Sequence, residues 1–170
     1  IKQKQDGHME MPLPKKTDST VLPNNRNVAL KRLRRLRSSL QNNSAYKKDY
    51  KNFMKILIEK YAERLPDDDD HPPEGKIWYL PHHGVYHPRE LDKLCVVFDC
   101  SSEYAGECLN RHLLQGPDLM NSLVGILLRF RKEPVAISCD IEAMFHQVSV
   151  CPEDSDYLRF LWWEDGDLDT

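Results

Sequence analysis

The chain has 170 residues, of which 40% are hydrophobic and 30% charged, and carries a formal net charge of -3. This is material for one ordinary domain, or one domain with an appendage, around a modest core. No apolar run approaches the roughly 18 residues of a membrane span. The stretch IKQKQDGHMEMPLP holds no apolar signal-peptide segment, so a membrane or secreted protein is not expected. The chain opens on Ile1 and stops at EDGDLDT without closing an element, the pattern expected of a piece cut from something longer.

The small net charge conceals a division. Residues 1–65 hold 16 Lys and Arg against 6 Asp and Glu, a balance of +10; residues 66–170 hold 8 against 21, a balance of -13. A basic arm beside an acidic body implies different partners for each, and nucleic acid is the usual one for the basic part. The plainer alternative is that the cations form solvated helix faces. The five cysteines show no C-x-x-C pair and no zinc-type spacing, so free thiols in a reducing compartment are expected and zinc is not. Cys95 and Cys139 lie in apolar runs, where Cys is expected to act as a small hydrophobe.

In chain order, residues 1–23 carry Pro12, Pro14 and Pro23 without periodicity and read as an extended, loose segment. Residues 24–65 read as a helical hairpin. Asn24 or Asn25 can cap a first helix with Leu30, Leu33, Leu36 and Leu40 at helical spacing and Lys31, Arg32, Arg34, Arg35 and Arg37 around them. Ser44 starts a second helix, whose stripe includes Tyr46, Tyr50, Phe53, Met54, Leu57 and Tyr61; the short QNNS connection favours antiparallel packing. Residues 66–75, PDDDDHPPEG, are an acidic, proline-rich linker, with nothing to fix the carboxylates around a metal.

Residues 76–170 turn to strands. KIWYLP with HHGVY, the turn HPRELD, and KLCVVFD read as a long β-hairpin. His82, His83 and His87 invite a metal reading, but Pro81, Gly84 and Pro88 exclude a helix that would bring them to one face. Residues 118–132 read as an amphipathic helix with Asp118 as its cap and Arg129, Arg131 and Lys132 in its last turn. A strand PVAISCDI, a turn through EAMFHQ, a strand VSV, a turn PEDS and a strand DYLRFLWW follow as an antiparallel meander, completing an α+β order. Asp140 at the end of an apolar strand demands an explanation, because an unpaired buried carboxylate is costly. It either caps the next turn or awaits a cation.

The stretches WYLPHHGVYHPRELDKLCVVFDCSS, LNRHLLQGPDLMNSLVGILLRFR and AISCDIEAMFHQVSVCPEDSDYLRFLWW together resemble the reverse transcriptase of BEL/Pao long-terminal-repeat retrotransposons. The upstream DGHMEMPLP and the two helices resemble the segment joining protease to reverse transcriptase in that polyprotein, so the resemblance covers essentially the whole chain. It implies a partial right-hand polymerase, fingers plus the start of the palm, performing template-directed nucleotidyl transfer with two Mg²⁺ on an RNA or DNA template–primer and dNTP. It implies an intracellular, cytoplasmic setting in the element's virus-like particle, or a nuclear one, and a parent that also carries ribonuclease H and protease. No membrane partner is implied.

On that resemblance Asp140 is the first catalytic, metal-binding aspartate, and Ile141 offers its backbone carbonyl to the same ion. Hard oxygen donors suit Mg²⁺, and in-line phosphoryl transfer uses such ions as a clamp. Phe145 occupies the steric-gate position beneath the incoming sugar, or else packs under the sheet. Lys93 and Arg89 are the candidates for the triphosphate. Family members commonly have Arg where this chain has Cys95, which removes one cation. Phe98 and Asp99 match the strand end, and Gln115, Gly116 and Pro117 match the turn entering the palm helix. Lys31, Arg32, Arg34, Arg35 and Arg37 are weaker candidates for nucleic acid. The second carboxylate pair of the palm does not follow Asp140, so this piece alone is expected to be inactive. The acids Asp165, Asp167 and Asp169 lack the glycine and final glutamate of a calcium loop. The competing readings are a non-catalytic, domesticated remnant that binds nucleic acid, and a decayed fragment without function.

Overall fold

The computed structural model describes residues 1–5, 7–66, 75–89, 93–141 and 144–168. Its elements in chain order are β1 (Lys2–Gln3), β2 (Met9–Met11), α1 (Arg26–Asn42), α2 (Ser44–Tyr61), β3 (His82–Tyr86), β4 (Leu94–Phe98), α3 (Leu109–His112), α4 (Leu123–Phe130), β5 (Val148–Val150) and α5 (Pro152–Ser155). Three 3₁₀ turns, at Met144–Gln147, Asp156–Leu158 and Glu164–Gly166, complete it. The chain is mixed α+β, as expected. Most of the linker expected at 66–75 lies outside the described residues. Among those described, no helix is long and apolar enough to cross a membrane.

The helical hairpin forms where the leucine and aromatic spacing places it. Leu36 and Leu40 of α1 and Tyr50 and Met54 of α2 share one core with Leu94 and Val96 of β4 and with Leu168. The connection is a single residue, Asn43, whose side chain accepts the N–H of Tyr46 at 3.0 Å and so caps α2. β3 and β4 pair antiparallel, His82 opposite Phe98 through Tyr86 opposite Leu94. Leu94 and Val96 point inward and Cys95 and Val97 outward, the period-2 alternation of a half-buried strand. KIWYLP, expected as part of this hairpin, is instead a buried extended segment. Trp78 N–H donates to Asp156 O at 3.0 Å and Leu80 N–H to Arg159 O at 2.7 Å. Trp78, Leu80, Leu22, Leu109 and Tyr157 form a second core.

Several expected elements differ. The first segment, expected to be extended or loose, carries two short strands: β1 and β2 pair antiparallel, and β2 pairs parallel with β5, Met9 opposite Val148. Strands of two or three residues are too short to leave a visible period. DYLRFLWW is not a meander strand but a 3₁₀ turn and an extended run, with a parallel bridge between Tyr79 and Arg159. PEDS is the short helix α5 rather than a turn. The helix expected over 118–132 is confined to Leu123–Phe130, preceded by Ser122, while Asp118 binds the N–H of Met120 two residues on. Asp118 therefore closes a local turn, the competing use of a short acid. PVAISCDI forms no strand; Asp140 and the residues before it run irregularly.

The exposures differ too. Trp162 and Trp163 are half-buried: Trp162 stacks on Tyr50 at 5.6 Å and meets Trp163 edge-on at 4.9 Å. The apolar surface lies elsewhere. From Leu114 to Ile141 every residue but Gly125 is exposed, including Leu123, Leu127, Leu128 and Phe130 of α4. Cys95 and Cys139 are exposed as well, so neither acts as a buried hydrophobe, and no cysteine is in a disulfide.

Candidate functional site

Asp140 sits in that exposed stretch. Its Oδ1 accepts the N–H of Ile141 at 2.9 Å, the local turn-closing bond of a short acid. Among the described residues no cation pairs with it. Ile141 is 60% exposed, so its backbone is within reach of solvent. Among the described residues no three His, Cys, Asp or Glu side chains gather as a metal cluster, His82, His83 and His87 included.

Phe145 lies in the 3₁₀ turn Met144–Gln147 with its ring 85% exposed. It is not packed beneath a sheet: among the described residues no strand forms on its N-terminal side to lie above it. Its neighbour His146 stacks on Tyr61 at 4.5 Å, tying this turn to the end of α2. Arg89 and Lys93 flank the tip of the β3–β4 hairpin, where His87 N–H donates to Lys93 O at 2.9 Å; both are exposed. Among the described residues no bond connects this tip to Asp140. The structure thus brings Arg89 and Lys93 together at one tip and leaves Asp140, Ile141 and Phe145 on a separate exposed segment.

The basic residues of α1 divide by face. Lys31, Arg34 and Arg35 are exposed, whereas Arg32 and Arg37 are half-buried. Arg32 pairs with Asp99 at 3.3 Å. Asp99 also accepts the hydroxyl and the N–H of Ser101, at 2.6 and 3.2 Å. The Ser101 bonds hold its carboxyl below the ordinary range, with help from Arg32 and against partial burial. Asp99, matched only to a strand end in the sequence, therefore fastens the end of β4 to α1. Gln115, Gly116 and Pro117 lie in an exposed run ahead of α4, with Gly116 at φ 71, a conformation that favours glycine.

Sequence reasoning missed the polar groups that hold this region together. His82 is 7% exposed; Tyr50 Oη lies 2.6 Å from its Nδ1 and Leu161 O lies 2.9 Å from its Nε2. The hydrogen-bond inventory fits the neutral ring with the proton on Nε2 donating to Leu161 and Nδ1 accepting from Tyr50. Burial pushes the His82 pKa down, only partly opposed by the Leu161 bond. Burial likewise pushes the Tyr50 hydroxyl up, so it stays protonated and able to donate. The available signal was the alternation of β3, which puts His82 on the same side as the half-buried Gly84 and Tyr86. At Gly84 the backbone N–H donates to Tyr46 Oη at 3.0 Å, and an added Cβ would meet that oxygen at 2.7 Å. A side chain at position 84 would push the tip of the Tyr46 ring off this bond.

Comparison with protein-family models, with curated proteins and with solved structures gives no match to the chain.

Proposed function

We propose that the chain is the fingers and first palm segment of an RNA-directed DNA polymerase of the BEL/Pao retrotransposon type. In its parent polyprotein the reaction is template-directed nucleotidyl transfer, with dNTP and an RNA or DNA template–primer as substrates. One observation carries the reading: the order of its motifs, a β-hairpin closing on Phe98–Asp99, the LLQGP turn, an amphipathic helix, then Asp140 with Phe145 five residues on. The fold supports it in two places. The hairpin forms and presents Arg89 and Lys93 at its tip, and α4 follows the turn.

The Asp140 carboxylate and the Ile141 carbonyl are hard oxygen donors of the kind Mg²⁺ takes, and this ion commonly completes its shell with water and substrate phosphates. They fit one ion brought with a nucleotide and are too few for a two-ion site. When bound, the ion would neutralise charge on the transferring phosphoryl group. Phe145 would underlie the incoming sugar, and Lys93 and Arg89 would meet the triphosphate as fixed cations. An intracellular setting suits free thiols.

The test is primer extension on an RNA template by the chain joined to its natural downstream sequence. Asp140→Asn is expected to abolish extension while duplex binding stays near the unsubstituted level. Extension undiminished by this substitution would overturn the reading.

A further inference from the structure

Between α1 and β3 lies a cleft of about 300 Å³, at the lower end of the range of ligand pockets. Arg32, Arg35 and Ser39 line one wall from successive turns of α1, with Leu36 between them, while Tyr46, His82 and His83 close the other side. The spacing 32, 35, 36, 39 is a single helix stripe, so the wall is a direct product of the α1 sequence.

Four of the polar groups are already engaged. Arg32 holds Asp99 at 3.3 Å, the Ser39 hydroxyl donates to Arg35 O at 3.3 Å, Tyr46 Oη accepts Gly84 N–H at 3.0 Å, and His82 is bonded at both ring nitrogens. Arg35 is different. Its side chain is exposed at the cleft, and among the described residues no carboxylate pairs with it. The wall around it is half apolar, through Leu36 and the Tyr46 ring, which strengthens a charge interaction relative to open water. Beyond the cleft, Lys31 and Arg34 continue the exposed positive surface along α1, a helix with no acidic residue. A lone small anion would leave those cations unused, whereas a chain of phosphates engages them in turn.

We propose that this cleft seats one phosphate of a single-stranded nucleic-acid backbone, with the Arg35 guanidinium forked on its non-bridging oxygens. His83 borders the same space as a further polar contact, and Lys31 and Arg34 carry the neighbouring phosphates. Arg rather than Lys suits the position, because the planar fork matches two phosphate oxygens. The proposal rests on nucleic acid being the partner, as in the reading above, and assigns the contact to a place remote in sequence from Asp140.

The experiment is fluorescence anisotropy of a labelled oligothymidylate titrated with the full chain over a series of salt concentrations. Arg35→Ala is expected to weaken binding about tenfold and to lower the slope of log affinity against log salt by about 1. Arg35→Lys should fall between it and the unsubstituted chain. Lys60→Ala removes the same charge from the exposed end of α2, outside the cleft, and should change affinity less than about twofold. Equal losses in Arg35→Ala and Lys60→Ala would overturn the cleft while leaving nucleic-acid binding standing. Displacement of the oligonucleotide by inorganic phosphate beyond the effect of ionic strength would overturn it too, as a small-anion site. An unsubstituted chain that binds no oligonucleotide would remove both the cleft and the nucleic-acid partner. Arg35 is exposed and off the core, so circular dichroism of the variants should match the unsubstituted chain.

Discussion

The side-chain amide of Asn25 pairs with the main chain of Tyr79 in both directions: Asn25 Nδ2 donates to Tyr79 O at 2.8 Å, and Tyr79 N–H donates to Asn25 Oδ1 at 2.7 Å. Asn25 is fully buried. A side chain thus takes the place of a neighbouring strand beside the extended segment that carries Trp78.

Asn25→Ala should therefore destabilise the protein by about 2–4 kcal/mol, because two buried backbone groups lose their partners at roughly 1–3 kcal/mol each. Asn25→Asp keeps an acceptor but loses the donor and turns an oxygen toward the Tyr79 carbonyl, so it should fare no better. Urea unfolding at neutral pH checks both, with the midpoint falling and the slope unchanged. A loss below about 0.5 kcal/mol for Asn25→Ala would contradict the pairing.

The His82 network predicts a stability that declines in mild acid. The folded pKa lies below the unfolded value of about 6.5, so the unfolded chain binds the proton more readily. The stabilisation is full above that value and is lost as pH falls from it toward the folded pKa. Protonation on Nδ1 would also set two donors, the ring and Tyr50, against each other. The urea midpoint should drop between pH 7 and pH 5, and His82→Gln should flatten that drop while lowering stability at pH 7. An identical pH dependence in the two proteins would count against the assignment.

Asp154 is a second pH-sensitive clasp, in a more acidic window. Its carboxylate, 3% exposed, accepts Leu13 N–H at 2.9 Å and is paired with Lys15. Burial pushes its pKa up, yet the Lys15 and Leu13 bonds outweigh this and hold it below the usual value. The stabilisation is present above about pH 4 and disappears as pH falls through the folded pKa. Asp154→Ala leaves Leu13 N–H and the partly buried Lys15 without their partner and should cost about 1–3 kcal/mol. Because Leu13 and Lys15 are held through this residue, limited proteolysis should cut near them in the variant before it cuts the unsubstituted chain. Equal cleavage rates would dismiss the clasp.

Those parts of the fold that bury one face of a regular element were legible in the sequence. The stripe of α1 and α2 and the alternation of β4 each announce a period long enough to detect. What failed was local in another sense. β1, β2 and β5 are two or three residues long, and their pairing depends on a partner far along the chain. The apolar run before Asp140 has strand composition, but β-propensity expresses itself through neighbouring strands, and no strand lies beside it among the described residues. In the candidate site, Asp140, Phe145 and the cations at the hairpin tip were nameable only through the resemblance, whereas the cleft was not nameable at all. Its α1 wall follows from four positions on one stripe, but its other side comes from β3, about fifty residues away, and only folding brings the two together.

The parallel match of β2 to β5 sets the order in which this chain can be completed. Lys15 and Asp154 are 139 residues apart, and closing so long a loop must precede any return from the contacts it brings. During synthesis β1 and β2 emerge with only each other to pair with, and β2 must wait for its parallel partner until Val148–Val150 clears the ribosome. A pulse-labelled nascent chain should accordingly keep the β2 edge open to chaperones long after the helical hairpin has closed.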